Sequence, residues 1–249
     1  KLELNLKKNQ KIYTKNNMHI LLTRPFDDCK NMIVKFKSLG HIVSHIPLLE
    51  IDKVKYKELD FSKYDGIIFT SSNGIKFLDC KKINKNIYCF CVGEVTENEV
   101  KKKGFQNIIS ANGNVNNLLE VILQNFKSTQ GKLLYISGET ISFELDEYLR
   151  KKNYNIDRLI NYKTKHIEIF DNSLIDELKK QIPDIVYIYS ENSARSFLNL
   201  INNYDLKNIW MNTCLMCIGE KSSSVLNEIK WKKIFLFNSG EEEFLLYKI

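Results

Sequence analysis

The sequence predicts an α/β protein of two similar domains, each a parallel sheet flanked by helices. Short apolar runs alternate with helical stretches from Met18 almost to the end of the chain, the signature of βαβ units. A strand–turn–helix pattern occurs twice in the same order, as in a duplicated domain. The strands number about ten, which suits two modest sheets better than one open sheet.

Met18 opens a buried strand, His19-Ile20-Leu21-Leu22-Thr23, and Arg24-Pro25 ends it. Asp27 and Asp28 suit a helix N-terminus, where carboxylates meet the positive end of the dipole. That helix runs to Leu39 and stops at Gly40, a residue free to turn left-handed. A second strand covers 41–51, interrupted by Pro47. Further strands read at 66–70, 87–92, 106–109, 132–137, 156–162, 184–189, 213–218 and 233–237. Helices read at 73–80, 94–103, 115–126, 142–152, 173–181, 192–202, 221–229 and 240–247. Residues 1–17 are rich in Lys and Asn, lack a helical period, and are read as an extension outside the fold. The chain opens on Lys1, so the extension reads as a remnant of organelle import or a start misplaced ahead of Met18.

Two Lys-rich polar segments, 52–57 and 163–166, mark candidate crossings between domains. If 52–165 forms one domain, the crossings lie side by side as a two-stranded hinge. Domain 1 is then discontinuous, 18–51 plus 166–249, with domain 2, 52–165, inserted into it.

The repeat pairs Gly66-Ile67-Ile68-Phe69-Thr70-Ser71-Ser72-Asn73 with Ile185-Val186-Tyr187-Ile188-Tyr189-Ser190-Glu191-Asn192, each leading into a helix that ends Phe-Leu. A second pair follows, Cys89-Phe90-Cys91-Val92-Gly93-Glu94 with Leu215-Met216-Cys217-Ile218-Gly219-Glu220. Thr96 opens the helix after the first of these, and Ser222, Ser223 and Ser224 open the helix after the second. A weaker pair joins Leu21-Leu22-Thr23-Arg24-Pro25 to Leu134-Tyr135-Ile136-Ser137-Gly138-Glu139.

Composition excludes several classes. With 43% apolar residues the chain is too apolar to be disordered. No apolar run reaches the ~18–20 residues that span a bilayer, and the start carries no signal-peptide pattern. The net charge is +7, but 1–17 holds five lysines against Glu3 alone, which leaves a modest excess elsewhere. Nucleic-acid binders concentrate their charge with interleaved aromatics, and the folded part shows no such patch. The excess suits an anionic small substrate, or reflects nothing more than a bias toward Lys, Asn and Ile. Six cysteines occur, at 29, 80, 89, 91, 214 and 217. The last four could supply a thiolate zinc site, but they sit in apolar strands, so buried free thiols and no metal are expected. Free thiols point to a reducing compartment: the cytoplasm, or an organelle stroma such as the plastid if 1–17 is a targeting remnant.

In a parallel sheet, ligands bind beyond the carboxyl ends of the strands, and every repeated turn sits there. Helix N-termini offer unpaired N–H groups and partial positive charge, and small residues let an anion approach them. The candidate binding set is Thr70, Ser71, Ser72, Asn73, Gly93, Thr96, Ser137, Gly138, Ser190, Gly219 and Ser222. Each of the Ser, Thr and Asn residues also has the simpler role of a helix cap. No dinucleotide, phosphate-loop, zincin or nucleophile-elbow motif occurs. His19, His41, His45 and His166 have no carboxylate or thiol cluster beside them. Such a chain works by positioning, without metal or nucleotide.

These residues resemble the uroporphyrinogen-III synthase family over nearly all of 18–249. The pieces are Leu22-Thr23-Arg24-Pro25, Ile46-Pro47-Leu48, Ile68 through Gly74, Val92-Gly93 with Thr96 and Gly104, Leu134 through Glu139, Tyr162-Lys163-Thr164, Ser190 and Ile218-Gly219-Glu220. The resemblance implies two α/β domains joined by a two-stranded linker, and a cofactor-independent cyclising lyase. Its substrate would be hydroxymethylbilane, a linear tetrapyrrole with eight carboxylates. The macrocycle closes with loss of water and inversion of ring D, through an azafulvene and a spiro intermediate. Tyr162 matches the family's cleft tyrosine and would donate a hydrogen bond to the departing hydroxyl; its simpler role is a Tyr ending a strand. The resemblance also implies a monomer in transient contact with the preceding pathway enzyme, with no nucleic acid or membrane as partner. Two departures stand out. No Arg follows Gly138-Glu139, and Glu220-Lys221-Ser222 replaces a usual Pro-Thr-Thr. The competing classes are a non-catalytic two-lobed anion-binding protein, which would usually carry an export signal, and a nucleic-acid-associated protein, suggested by net charge alone.

Overall fold

A computed structural model describes residues 17–237 and Glu241. The rest of the extension, and the helix read at 240–247 apart from Glu241, lie outside the described residues. In chain order the elements are β1 (His19–Leu22), α1 (Phe26–Ser38), β2 (Ile42–His45), β3 (Leu49–Lys53), β4 (Gly66–Phe69), α2 (Ser72–Lys76), β5 (Tyr88–Val92) and α3 (Gly93–Lys102). There follow β6 (Ile108–Ala111), α4 (Val115–Asn125), β7 (Lys132–Gly138), α5 (Leu145–Lys151), β8 (Asn155–His166) and α6 (Asn172–Lys180). The last are β9 (Ile185–Ile188), α7 (Glu191–Asn203), β10 (Cys214–Ile218), α8 (Gly219–Ser224) and β11 (Lys233–Phe237).

The chain forms two compact units. One runs to Glu50 and resumes at His166; the other is Ile51–Lys165. The first holds a five-stranded sheet in the order β11-β10-β9-β1-β2, and the six-stranded sheet of the second runs β3-β8-β7-β4-β5-β6. Strands β3 and β8, which carry the chain across each boundary, are neighbours in that second sheet. The pairs β1–β2, β1–β9, β9–β10, β10–β11, β4–β5, β4–β7, β5–β6 and β7–β8 are parallel, whereas the bonds from the Val54 N–H to the Asn161 carbonyl and from the Ile167 N–H to the Leu48 carbonyl set the edge strand β3 antiparallel to β8.

Central strands are unbroken apolar runs because helices cover both faces. In β1, Leu21 packs with Ala194, Phe197 and Leu200 of α7, while Ile20 and Leu22 face Cys29 and Phe36 of α1. In β4, Ile67 and Phe69 pack with Ile75 and Val100, while Ile68 faces Leu118, Ile122 and Leu145. The local signals for α1 act as read: Asp27 and Asp28 stand in its first turn, and Gly40 follows it at φ +88°.

Several boundaries differ from the sequence reading. The single strand at 41–51 is two strands, β2 and β3, in different sheets, because Pro47 has no N–H to give a ladder. The helix at 73–80 ends at Lys76, since the side-chain amide of Asn161 takes the Gly74 carbonyl and the Leu78 N–H turns to Ile75. The helix at 221–229 begins at Gly219 and ends at Ser224, where the Ser223 and Ser224 hydroxyls bond back to the Glu220 carbonyl and compete with the helix. The strand at 106–109 sits two residues later, the helix at 142–152 spans only α5, and β8 continues through the Lys-rich segment to His166.

Candidate active site at the switch points

In a doubly wound sheet the crevice for a ligand opens where the strand order reverses. In the second unit the chain moves outward from β4 through β5 to β6, then returns to β7 on the other side of β4. The reversal therefore lies between β4 and β7, whose carboxyl ends carry Thr70-Ser71 and Ser137-Gly138. In the first unit it lies between β1 and β9, whose ends carry Thr23-Arg24 and Tyr189-Ser190.

The β4 turn is built by capping. Ser71 is the N-cap of α2, with extended backbone (φ −151°) and a hydroxyl that accepts the Asn73 N–H at 3.2 Å. Asn161, fully buried on β8, donates from Nδ2 to the Gly74 carbonyl at 2.7 Å and pins the helix from below. Its Oδ1 is buried with no hydrogen-bond partner among the described residues. Ser72 is buried, whereas Thr70 and Asn73 are half-buried. The Thr70 hydroxyl meets that of Tyr135, 3.1 Å away.

Tyr162 joins the β4 and β7 turns. It pairs in register with Gly138, and its ring lies where a side chain at 138 would project: a Cβ there would stand 2.7 Å from Cε2. Ser71 and the Gly138 N–H stand close to the Tyr162 hydroxyl. Burial raises its pKa, against the opposing pull of Ser71, Gly138 and Arg158, so it stays a protonated donor near neutrality. Burial also raises that of Tyr135, with Thr70 and Arg158 pulling the other way. The Arg158 guanidinium donates from Nε to the Ser137 hydroxyl at 2.8 Å and from Nη2 to the Gly138 carbonyl at 3.1 Å. Ser137 is fully buried and donates its own proton to the Gly138 carbonyl at 3.0 Å. Its hydroxyl is thus engaged in holding Arg158.

Gly93 and Gly219 begin α3 and α8 at φ +76° and +69°, with open space where a Cβ would point. Thr96 and Ser222, in the first turns of these helices, are buried. In the first unit Ser190 is the N-cap of α7, extended at φ −164°, accepting the Ser193 N–H at 3.1 Å. Arg24 lies 4.7 Å over the Tyr189 ring, and Thr23 donates to the Tyr187 carbonyl at 2.6 Å.

The candidate residues thus fall into two sets. Thr70, Ser71, Ser72, Asn73, Ser137, Gly138 and Tyr162 gather at the β4–β7 edge, with Gly93 and Thr96 after the adjacent β5. Ser190, Gly219 and Ser222 gather at the ends of β9 and β10. Arg158, Tyr135 and Asn161 were absent from the sequence-derived set. The available signal for Arg158 and Asn161 was a charge and an amide next to the apolar residues Ile156, Leu159 and Ile160, positions that need partners where they are buried.

The other polar groups are structural. His19 reaches Ser44, His45 the Arg24 carbonyl, His166 the Ser196 hydroxyl, and His41 the Met18 N–H. All six cysteines are buried free thiols. Cys214 and Cys217 enter opposite faces of the first sheet, which prevents that pair from chelating one ion. Among the described residues no cluster of three metal-ligating side chains occurs, and no helix is long and apolar enough to cross a membrane. A surface depression of about 500 Å³ near Tyr64, Asp65 and Tyr88 lies at the amino ends of β4 and β5, the wrong end of the sheet for this site.

The family model HEM4, uroporphyrinogen-III synthase HemD, matches residues 30–238. The chain belongs to the uroporphyrinogen-III synthase family. The crystal structure of uroporphyrinogen-III synthetase from Helicobacter pylori is similar, with TM-score 0.62 and 18% identity over 93% of this chain and 100% of that one. A mutant uroporphyrinogen III synthase from the extremely thermophilic bacterium Thermus thermophilus matches 93% of this chain and 96% of its own at 12% identity, TM-score 0.49. No curated protein matches the sequence. At 18% identity the Helicobacter likeness shows the fold of this uroporphyrinogen-III synthase family member alone.

Proposed function

We propose that the chain converts hydroxymethylbilane to uroporphyrinogen III, acting as a cyclising hydro-lyase in tetrapyrrole and heme biosynthesis. The observation that carries the reading, beside family membership, is a polar turn at the switch point of each sheet, framed by capping serines at 71 and 190. Such turns offer N–H and O–H donors to carboxylates. The chemistry asks chiefly for position: the substrate must be folded so that attack falls on the substituted carbon of ring D before the bilane closes to the uninverted isomer.

Tyr162 fits the departing hydroxyl of ring A. Its phenol lies beside Ser71 and Gly138, and its raised pKa keeps the proton available for donation as the C–O bond breaks. Thr70, Ser71, Asn73, Gly93, Ser190 and Gly219 are half-buried or exposed and are proposed to hold acetate and propionate groups. Ser72, Thr96, Ser137 and Ser222 are buried and serve by shaping those turns.

The test supplies enzymatically generated hydroxymethylbilane and resolves the oxidised products. Type III porphyrin is expected; type I alone overturns the reading. Tyr162→Phe is expected to cut kcat by about tenfold to a hundredfold, within or below the range for a positioned proton donor, and full activity would remove the role of its hydroxyl.

A further inference from the structure

Arg158 is a cation in a strand whose flanking residues Ile156 and Leu159 pack into opposite cores of the second unit. Its side chain is only 19% exposed. Nε and Nη2 are spent on the β7 turn: the Ser137 hydroxyl, the Gly138 carbonyl at 3.1 Å and the Glu139 carbonyl at 3.3 Å. These bonds fix the plane of the guanidinium and leave its Nη1 edge facing outward. That edge meets Glu144 Oε2 at 3.3 Å, a long contact to a side chain that is 56% exposed. Glu144 precedes α5 and makes no capping hydrogen bond there. Tyr135 and Tyr162 both lie within the electrostatic reach of Arg158. A rigid, nearly enclosed cation at a switch point, faced by one loosely held exposed carboxylate, has the form of an anion site with an internal stand-in.

We propose that Arg158 binds a carboxylate of the substrate through its Nη1 edge, and that Glu144 occupies that edge in the free protein and is displaced. The inference rests on the synthase reading for the identity of the anion. Arginine suits the task because its planar fork takes a carboxylate in a fixed orientation. Loss of the weak surface contact to Glu144 costs little, so the exchange favours the better-oriented anion.

The experiment measures KM and kcat for hydroxymethylbilane, and Kd for uroporphyrin III by fluorescence quenching, in the parent protein, Arg158→Gln and Glu144→Gln. Arg158→Gln is expected to raise KM and Kd by about tenfold or more, the scale of a charged hydrogen bond, with a smaller change in kcat. Glu144→Gln removes the competitor and is expected to lower both by about twofold to fivefold, the scale of an exposed ion pair. It alters only an exposed side chain, so it keeps the test open should Arg158→Gln fail to fold. Added salt should narrow the difference between Glu144→Gln and the parent. A Glu144→Gln protein whose KM and Kd are unchanged or raised overturns the proposal and leaves Arg158 as a clamp on the turn. A parent that yields only type I porphyrin sinks the synthase reading instead, and the porphyrin Kd still reports on Arg158.

Discussion

Gly138→Ala tests whether the Tyr162 ring fixes the carboxyl edge of the second sheet. An added Cβ would stand 2.7 Å from Cε2, 2.9 Å from Cζ and 3.2 Å from the hydroxyl oxygen of Tyr162. The first two distances are too short to persist, so something must move. An aromatic ring does not bend, and Ser71 and Gly138 stand close against the hydroxyl of this one. Relief therefore requires moving the whole ring or the strand, at a cost of about 1–3 kcal/mol. Gly138 is not among the positive-φ glycines, so Ala brings no backbone strain. Reduced freedom of the unfolded chain returns about 0.4–1 kcal/mol. The net expectation is a destabilisation of roughly 0.5–2 kcal/mol. In a Tyr162→Ala background the ring is gone, and the same substitution should be neutral or stabilise by up to about 1 kcal/mol. Urea denaturation of the four proteins closes the cycle, with an expected coupling of about 1–3 kcal/mol. If Gly138→Ala costs the same in both backgrounds to within about 0.5 kcal/mol, the ring is not the constraint and the account of this edge fails.

Three further outcomes are expected. Asn161→Leu leaves the Gly74 carbonyl without its donor, a loss of about 1–3 kcal/mol. Removing the partnerless Oδ1 offsets part of that loss, and the loosened β4 turn should lower the type III fraction, read by denaturation and product analysis. At Gly219, where φ is +69° and no atom lies within 4 Å of a would-be Cβ, the penalty is backbone strain alone. Ala should cost about 1–2 kcal/mol, Asn less and Val more, an order that denaturation midpoints check. Burial lowers the pKa of His19, Asp184 opposing, so the unfolded state takes up a proton first as pH falls through about 6.5. Stability should drop from there and level off once the folded-state imidazole is protonated; His19→Gln should flatten that slope in part, since burial lowers His41 in the same direction.

What the sequence disclosed follows from how local each cause is. Ser71 and Ser190 were legible because an N-cap is chosen by its own residue and bonds a neighbour two or three positions on. Gly93 and Gly219 were read only as small residues that admit an anion; their left-handed backbone at the helix start is made possible by the missing side chain. Arg158 and Asn161 act across 21 and 87 positions of sequence, on Ser137 and Gly74. No local pattern reports such contacts, because they depend on which strand lies beside which. The early end of α2 is the same effect seen from the other side: a donor from β8 overrides the helical period of 73–80.

The strand order also explains why the repeat was visible only in pieces. Matching the repeated turns equates β4 with β9, β5 with β10 and β7 with β1. Apart from its edge strand β3, the second sheet then reads β8-β7-β4-β5-β6 and the first β2-β1-β9-β10-β11, the same spatial sequence position by position. Along the chain the order differs: the β1–β2 portion precedes β9 in the first unit, whereas its counterpart β7–β8 follows β6 in the second. The units are thus permuted relative to each other, and the Leu21 and Leu134 segments cannot align in one pass with the rest of the repeat. Permutation leaves the sheet, and so the switch point, unchanged. That invariance is why Thr23-Arg24 beside Tyr189-Ser190, and Ser137-Gly138 beside Thr70-Ser71, occupy equivalent places. By the same correspondence Arg24 takes the place of Gly138, and its guanidinium is stacked on the Tyr189 ring.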